Sequence, residues 1–275
     1  MSLRFTKMHG AGNDFVLLDL RDGSPLPDAA TARAIGNRHT GVGYDQLLTI
    51  EKSEIPGCVA RYRILNSDGS LAQQCGNGAR CVAAWIRRAG MTKASHFLLD
   101  SPAGVIDVQS QENEHYSLLM SVPDFVPATI PFITEKQAPT YRIKIDNEDI
   151  EFSVVSMGNP HAVIQVDDIA SAPVERIGKA LQARVEFPQS VNVGFVQIIS
   201  PTHIRLRVYE RGAGETLACG SGSCAAVAAL ISLGKLETDV RVSLPGGDLQ
   251  IEWTDRTGPI RMAGPAAFVF EGEWL

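Results

Sequence analysis

No stretch of the 275 residues approaches the roughly 20 consecutive apolar residues that a membrane-spanning helix requires. The opening MSLRFTKMHGAGNDF has no apolar core followed by a small-residue cleavage site, so no secretory signal is expected. Cysteine is scarce: five residues, an odd number, too few for a disulfide framework. A reducing cytoplasm is the expected compartment. There is no C-x-x-C pair and no histidine in ligand register, which argues against a zinc site; no metal is expected. No basic excess exists either. Lys and Arg total 25 against 31 Asp and Glu, for a net charge of −6, and a nucleic-acid binder would want a basic face.

What is present is an ordinary globular composition, 44% hydrophobic and 20% charged, which is enough to bury a core. The length suits one large domain or two of ordinary size. The chain also repeats itself once. RYRILNSDGSLAQQCGNGARCVAA at 61–84 aligns without a gap on RLRVYERGAGETLACGSGSCAAVA at 205–228, an offset of 144. Cys75 falls on Cys219, Gly76 on Gly220 and Gly78 on Gly222. Met8–Asn13 has a weaker echo in Ser156–Asn159, and Leu98–Gly104 in Val242–Gly247. Two copies are too few for a solenoid. Two related domains with a functional site where they meet is the better expectation.

Runs rich in branched and aromatic residues predict strands at 15–18, 46–50, 62–65 and 204–208. Alanine-rich stretches bounded by glycine predict helices at 78–88 and 222–233. The second is apolar on nearly every face, from Cys224 to Ile231, which predicts a buried helix. Each half is therefore expected to wrap a curved sheet around one central helix. The proline-rich 123–140 stretch is a plausible crossover between halves.

Cys75-Gly76-Asn77-Gly78 and Cys219-Gly220-Ser221-Gly222 each stand where a loop enters a helix. The first N–H groups of a helix lack intrahelical partners and, with the helix dipole, favour negative charge. A thiol there tends towards thiolate, available as a base near neutral pH. One such thiol per half suits symmetric chemistry such as racemisation, in which one group removes a proton and another returns it from the opposite face. The same helix ends would bind a carboxylate and stabilise the carbanion-like transition state, part of what a pyridoxal cofactor supplies elsewhere.

The plainer reading of a cysteine is a small buried hydrophobe. It fits Cys58, Cys81 and Cys224, and it fits Cys75 and Cys219 poorly because they occupy equivalent places in the duplicate. The glycines resemble a phosphate loop only weakly, with no G-x-x-x-x-G-K-[ST] run. Arg61, Arg63, Arg205 and Arg207 alternate along strands and read as solvated or structurally paired.

Met8–Phe15, Asn66–Ser70, Gln74–Cys81, Ser156–His161 and Tyr209–Gly222, taken in order, resemble the diaminopimelate epimerase family over essentially the whole chain. The resemblance implies a mixed α/β fold of two pseudo-symmetric domains, each a curved, mostly antiparallel or mixed sheet around a central helix. It places them at 1–119 with 265–275, and at 120–264, with the active site in the cleft between. It implies interconversion of LL- and meso-diaminopimelate, on the route to lysine and peptidoglycan precursors, without cofactor or metal. Cys75 and Cys219 would be the acid/base pair, supported by His161 and Glu210. Substrate contacts would come from Asn13, Gln46, Asn66, Asn159, Asn192, Glu210 and Arg211, and from Gly76, Asn77, Gly220 and Ser221 at the two turns. A homodimer is implied, with Phe270 at a dimer-contact position where family members often have tyrosine; the ring is kept and the hydroxyl lost. No nucleic-acid or membrane partner is expected.

Each of these residues also has a plainer reading. Asn13 and Asn159 follow glycines, where Asn forms turns. Arg211 next to Gly212 suits an exposed loop, and a lone histidine is often structural. Two other functions remain to be distinguished. A proline or hydroxyproline racemase of similar fold would leave Arg211 and the asparagines without a second substrate end to read. A thiol redox protein would cycle a Cys75–Cys219 disulfide.

Overall fold

The computed structural model describes residues 2–73 and 75–275. Gln74, part of the first cysteine motif, lies outside the described residues. The chain divides into two compact units, residues 1–119 with 263–275, and residues 120–262.

The first unit holds β1 (Leu3–Gly10), β2 (Asn13–Asp19), α1 (Ala29–Gly36), β3 (Gln46–Glu51), β4 (Cys58–Asn66), β5 (Leu71–Ala72), α2 (Gly76–Arg88), β6 (His96–Ser101), β7 (Gly104–Ser110) and β8 (His115–Leu119). The second holds β9 (Tyr141–Ile145), β10 (Glu148–Ser156), β11 (Pro160–Gln165), α3 (Val174–Gln182), β12 (Asn192–Ser200), β13 (His203–Glu210), β14 (Gly214–Thr216), α4 (Gly220–Ser232), β15 (Asp239–Leu244) and β16 (Gly247–Glu252). β17 (Arg261–Pro265) leads the chain back to the first unit, where β18 (Ala267–Trp274) pairs antiparallel with β1. This is a mixed α/β fold with few helices.

The two units share one pairing scheme. β1–β2 is antiparallel, β2–β3 parallel, β3–β4 antiparallel and β4–β6 parallel. β10–β11, β11–β12, β12–β13 and β13–β15 repeat that order of directions. A helix follows the second strand of each set and makes the parallel crossover, which no short turn can make. The sequence expectations stop short of these helices, α1 and α3. α1 is only 8 residues long and α3 only 9, too short to show a clear helical period.

Register makes the duplication precise. Phe15 pairs with Gln46 as His161 pairs with Asn192, and Gln46 pairs in turn with Asn66. The β1–β2 turn needs two residues, Ala11 and Gly12, both at positive φ. The β10–β11 turn takes three, Met157–Asn159.

α2 packs against β1, β2, β3, β4 and β8, and α4 against β10, β11, β12, β13 and β16. Both begin two residues earlier than the composition predicts, at the glycine after the cysteine. α4 buries every residue from Gly222 to Ile231, as its uniformly apolar sequence requires. α2 instead ends in a partly solvated turn with Arg87 and Arg88. The proline-rich 123–140 stretch does more than connect: Ile130 and Phe132 enter the second unit's core, where Phe132 packs on Tyr141, Phe152 and Phe187. Among the described residues, no helix is long and apolar enough to cross a membrane.

Candidate active site

Each unit presents one half-site built on the same frame: a strand turn, two strand ends and a helix start capped by cysteine. In the first, Cys75 is the N-cap of α2 with an extended backbone, φ −153° and ψ 103°. Its Sγ accepts from the Gly78 N–H at 3.4 Å. Gly78 matters because a Cβ there would lie 3.5 Å from Sγ and 3.1 Å from Leu48. On its other side the thiol donates to Asn13 Oδ1 at 3.7 Å. Asn77 Nδ2 donates to the same oxygen at 3.2 Å, and Asn13 Nδ2 donates to Asp45 at 2.7 Å.

Asp45 belongs to a charged cluster at the base of the β1–β2 turn. Arg38 bridges Asp45 and Asp14, and Lys7 pairs with Asp14 at 2.5 Å. Burial pushes the Asp14 carboxyl up, but Arg38 and Lys7 outweigh it and hold it at about 2. Next to this, Gln46 Nε2 donates to Asn66 Oδ1, and Asn66 Nδ2 to Ser70. Gln46 Oε1 is buried and has no partner among the described residues. A buried acceptor left unpaired costs about 1–3 kcal/mol, so this oxygen is a place for an incoming donor.

In the second half-site Cys219 caps α4 with φ −124° and ψ 108°. It is buried, with Ser221 Oγ 3.7 Å from Sγ. Gly222 repeats the role of Gly78, a Cβ there falling 3.2 Å from Sγ and from Val208. The expected lowering of the thiol's pKa is overturned here. Burial and the Glu210 carboxylate hold Cys219 well above the usual thiol range, and the Gly222 N–H and Ser221 hydroxyl only partly oppose them. Cys219 is a thiol at neutral pH. Glu210 is itself held by Thr216 Oγ1 at 2.5 Å.

His161 Nε2 bonds Asn159 Oδ1 at 2.9 Å, and Asn159 Nδ2 donates to Ser221 Oγ at 3.4 Å. Burial, then the Arg211 charge, depress His161 to about 3, so it is neutral and donates to the amide oxygen. Asn192 spends both amide ends on backbone, donating to Pro160 O at 3.1 Å and accepting from Arg211 N–H at 2.9 Å. It therefore fixes the exposed loop from which Arg211 projects. One Arg211 nitrogen donates to Gln189 O at 2.9 Å.

The first unit thus collects Asn13, Gln46, Asn66, Cys75, Gly76 and Asn77, and the second collects Asn159, His161, Asn192, Glu210, Arg211, Cys219, Gly220 and Ser221. The remaining cysteines differ among themselves. Cys81 and Cys224 are buried within the helices, whereas Cys58, expected to be buried, is only half-buried at the start of β4. Arg63 pairs with Glu51 and Arg207 with Glu215, the structural pairs expected of the strand arginines. Phe270 stands half-exposed on β18, its ring edge-on to Phe5 at 5.8 Å. Sequence reasoning passed over Asp45, Arg80 and Thr216. Arg80, a charge in the second turn of an alanine-rich helix whose other arginines, Arg87 and Arg88, stand in its last turn, is the legible signal.

The diaminopimelate epimerase family model matches residues 5–126 and 153–269. A diaminopimelate epimerase of Xanthomonas euvesicatoria pv. vesicatoria (strain 85-10) is 56% identical over 273 residues, 99% of this chain and 96% of that protein. The Bacillus anthracis phenazine biosynthesis protein of the PhzF family has the same fold, with a TM-score of 0.75 at 16% identity, covering 100% and 99% of the two chains. A hydroxyproline epimerase from Agrobacterium vitis, solved with trans-4-hydroxy-L-proline, gives a TM-score of 0.70 at 16% identity, covering 99% and 92%. Those two likenesses concern fold alone, but the family match spans both cysteine half-sites, and the chain belongs to the diaminopimelate epimerase family.

Proposed function

We propose that this chain interconverts LL- and meso-diaminopimelate with Cys75 and Cys219 as its acid/base pair, and without a cofactor. The observation that carries the mechanism is the equivalence of the two thiols: each caps a central helix, in register with the other in a duplicated frame. One thiol, as thiolate, takes the α-proton, and the bond's electron pair moves towards the substrate carboxylate. The other delivers its proton to the opposite face of that carbon. After one turnover the two have exchanged protonation states.

Cys219 begins as the thiol, since burial and Glu210 keep it protonated. Cys75 is then the first base. N–H groups at the helix starts offset the charge that builds on the carboxylate, supplying electrostatically part of what a pyridoxal ring would supply by resonance. Glu210 suits the reacting ammonium. An ammonium paired there would relieve the repulsion that holds Cys219 protonated.

The far end of the substrate is a second amino acid. Gln46 Oε1, buried without a partner among the described residues, suits an ammonium donor, and the Arg211 fork suits a carboxylate. A proline-type substrate would leave both unused. We place the enzyme in the cytoplasm as a homodimer, with half-exposed Phe270 as an apolar contact.

The decisive experiment incubates purified enzyme with LL-diaminopimelate in deuterated water. We expect α-deuterium incorporation together with formation of the meso isomer. Absence of both would refute the activity, and a matching rate on free proline would favour the racemase reading.

A further inference from the structure

Arg80 lies within the first cysteine motif, yet neither the proposed mechanism nor the resemblance gives its charged side chain a role. It stands in the second turn of α2 and has no exposed surface. Burying a guanidinium is costly unless its donors are used, so such a residue needs a reason. Its Nη2 donates to Asn77 Oδ1 at 2.9 Å and its Nε to Pro265 O at 3.3 Å. The side chain thus reaches back to the first turn of α2. It also lies directly beneath the β1–β2 turn: a Cβ on Gly10 would fall 3.3 Å from Nη2 and 3.2 Å from the Asn77 carbonyl.

A directional chain of hydrogen bonds follows. A guanidinium can only donate, so Asn77 must turn its oxygen to Arg80. Asn77 Nδ2 then donates to Asn13 Oδ1, and Asn13 Nδ2 donates to Asp45, which can only accept. A cation at one end and a carboxylate at the other fix both amides, and Asn13 is left presenting its oxygen to Cys75. The duplicate has Cys224 in place of Arg80, and there Asn159 is oriented the other way, oxygen to His161 and nitrogen to Ser221.

We infer that Arg80 is a positioning residue for Cys75: through Asn77 it sets the orientation of Asn13 and joins the β1–β2 turn to the start of α2, and it keeps a fixed positive charge under that helix end. The inference rests on the reading of Cys75 as an acid/base group. It can fail separately, because its main readout uses no substrate. Arg38, Lys7, Asp14 and Asp45 face the same turn from β1, β2 and the loop before β3, Tyr62 on β4 and Cys81 on α2 stand near the Cys75 thiol, and all are left unchanged.

The test is peptide-resolved alkylation by iodoacetamide across a pH series on the full chain, with Cys219 as internal control. Arg80→Met removes the cation and the fork; Arg80→Lys keeps the cation and one donor. In Arg80→Met we expect alkylation of Cys75 at pH 8 to slow at least about threefold, its midpoint moving to higher pH, with Cys219 unchanged. Arg80→Lys should restore most of the difference. In turnover, kcat should fall about tenfold in Arg80→Met with KM little altered. If Arg80→Met does not fold, Gly10→Ala presses on the same guanidinium and should shift the Cys75 midpoint alone. A Cys75 profile that stays in place, or moves together with that of Cys219, overturns the inference.

Discussion

Two halves built on one frame surround their cysteines with opposite polarity. In the first unit the thiol of Cys75 faces an amide oxygen, with a buried cation and a charged cluster behind it. In the second, Cys219 faces the Ser221 hydroxyl and the Glu210 carboxylate, with a neutral histidine behind. Phe15 and His161 stand at matching register positions, both buried, one apolar and one polar. Asn66 and Glu210 match likewise, as do Ser67 and Arg211. What duplication preserved is the geometry a two-face reaction needs, the helix start and its glycines. What diverged is the lining, which in the proposed reaction would recognise an unsymmetrical substrate and set which thiol starts protonated. Symmetry of frame with asymmetry of charge is what a two-base epimerase requires, because its two groups must begin in different protonation states.

The largest effect should come from removing either thiol. Cys75→Ala and Cys219→Ala should each lower epimerisation by about 10³-fold or more, since a positioned acid or base contributes 10²–10⁴-fold and here both are needed. Coupled detection of the meso isomer measures it. A variant retaining near-normal turnover would break the comparison, because the halves would then not be functional equivalents.

The frame was legible in the sequence because it rests on residue types with a single physical use. Glycine after cysteine marks a tight helix entry, and the alternation of branched residues marks strands. The gap-free repeat exposed both central helices, and α4 could be read as buried from composition alone. The lining was less legible. Whether Asn13 presents oxygen or nitrogen depends on Arg80 and Asp45, which lie far from it in sequence. The direction of the Cys219 shift was misread for the same reason: a helix start favours thiolate, but the desolvation and the Glu210 charge that outweigh it are tertiary. α1 and α3 escaped because their helicity comes from packing rather than period.

A second test makes the halves alike. His161→Phe copies Phe15 into the second unit. Burial, then the Arg211 charge, push His161 down to about 3 in the native chain, against 6.5 when exposed to water. Between those values the unfolded chain binds a proton that the native chain refuses, so stability is fully present above pH 6.5 and is lost as pH falls towards 3. The loss amounts to about 5 kcal/mol at most, of which about 3 kcal/mol falls between pH 7 and pH 4. Urea denaturation at pH 7 and pH 4 should show that share of the acid sensitivity removed in His161→Phe. Activity should fall as well, because Asn159 loses the donor that turns its nitrogen to Ser221. An unchanged acid slope would mean His161 is protonated in the native chain.

The smallest effect separates the two thiols without any mutation. Iodoacetamide reacts with thiolate, so reactivity follows both exposure and charge state. Cys219 is buried and held protonated by its surroundings, whereas Cys75 is half-buried and accepts an N–H from Gly78. At pH 7.5 we expect Cys75 to be alkylated several-fold faster, as read by peptide mass spectrometry over a time course. Raising the pH should bring Cys219 up more steeply, because its thiolate fraction is still climbing where that of an ordinary thiol has levelled off. Binding of a substrate ammonium at Glu210 should act in the same direction at constant pH, by cancelling the charge that holds the proton on Cys219. If Cys219 reacted first, the assignment of Cys75 as the first base would reverse, while the pairing of the two thiols would stand.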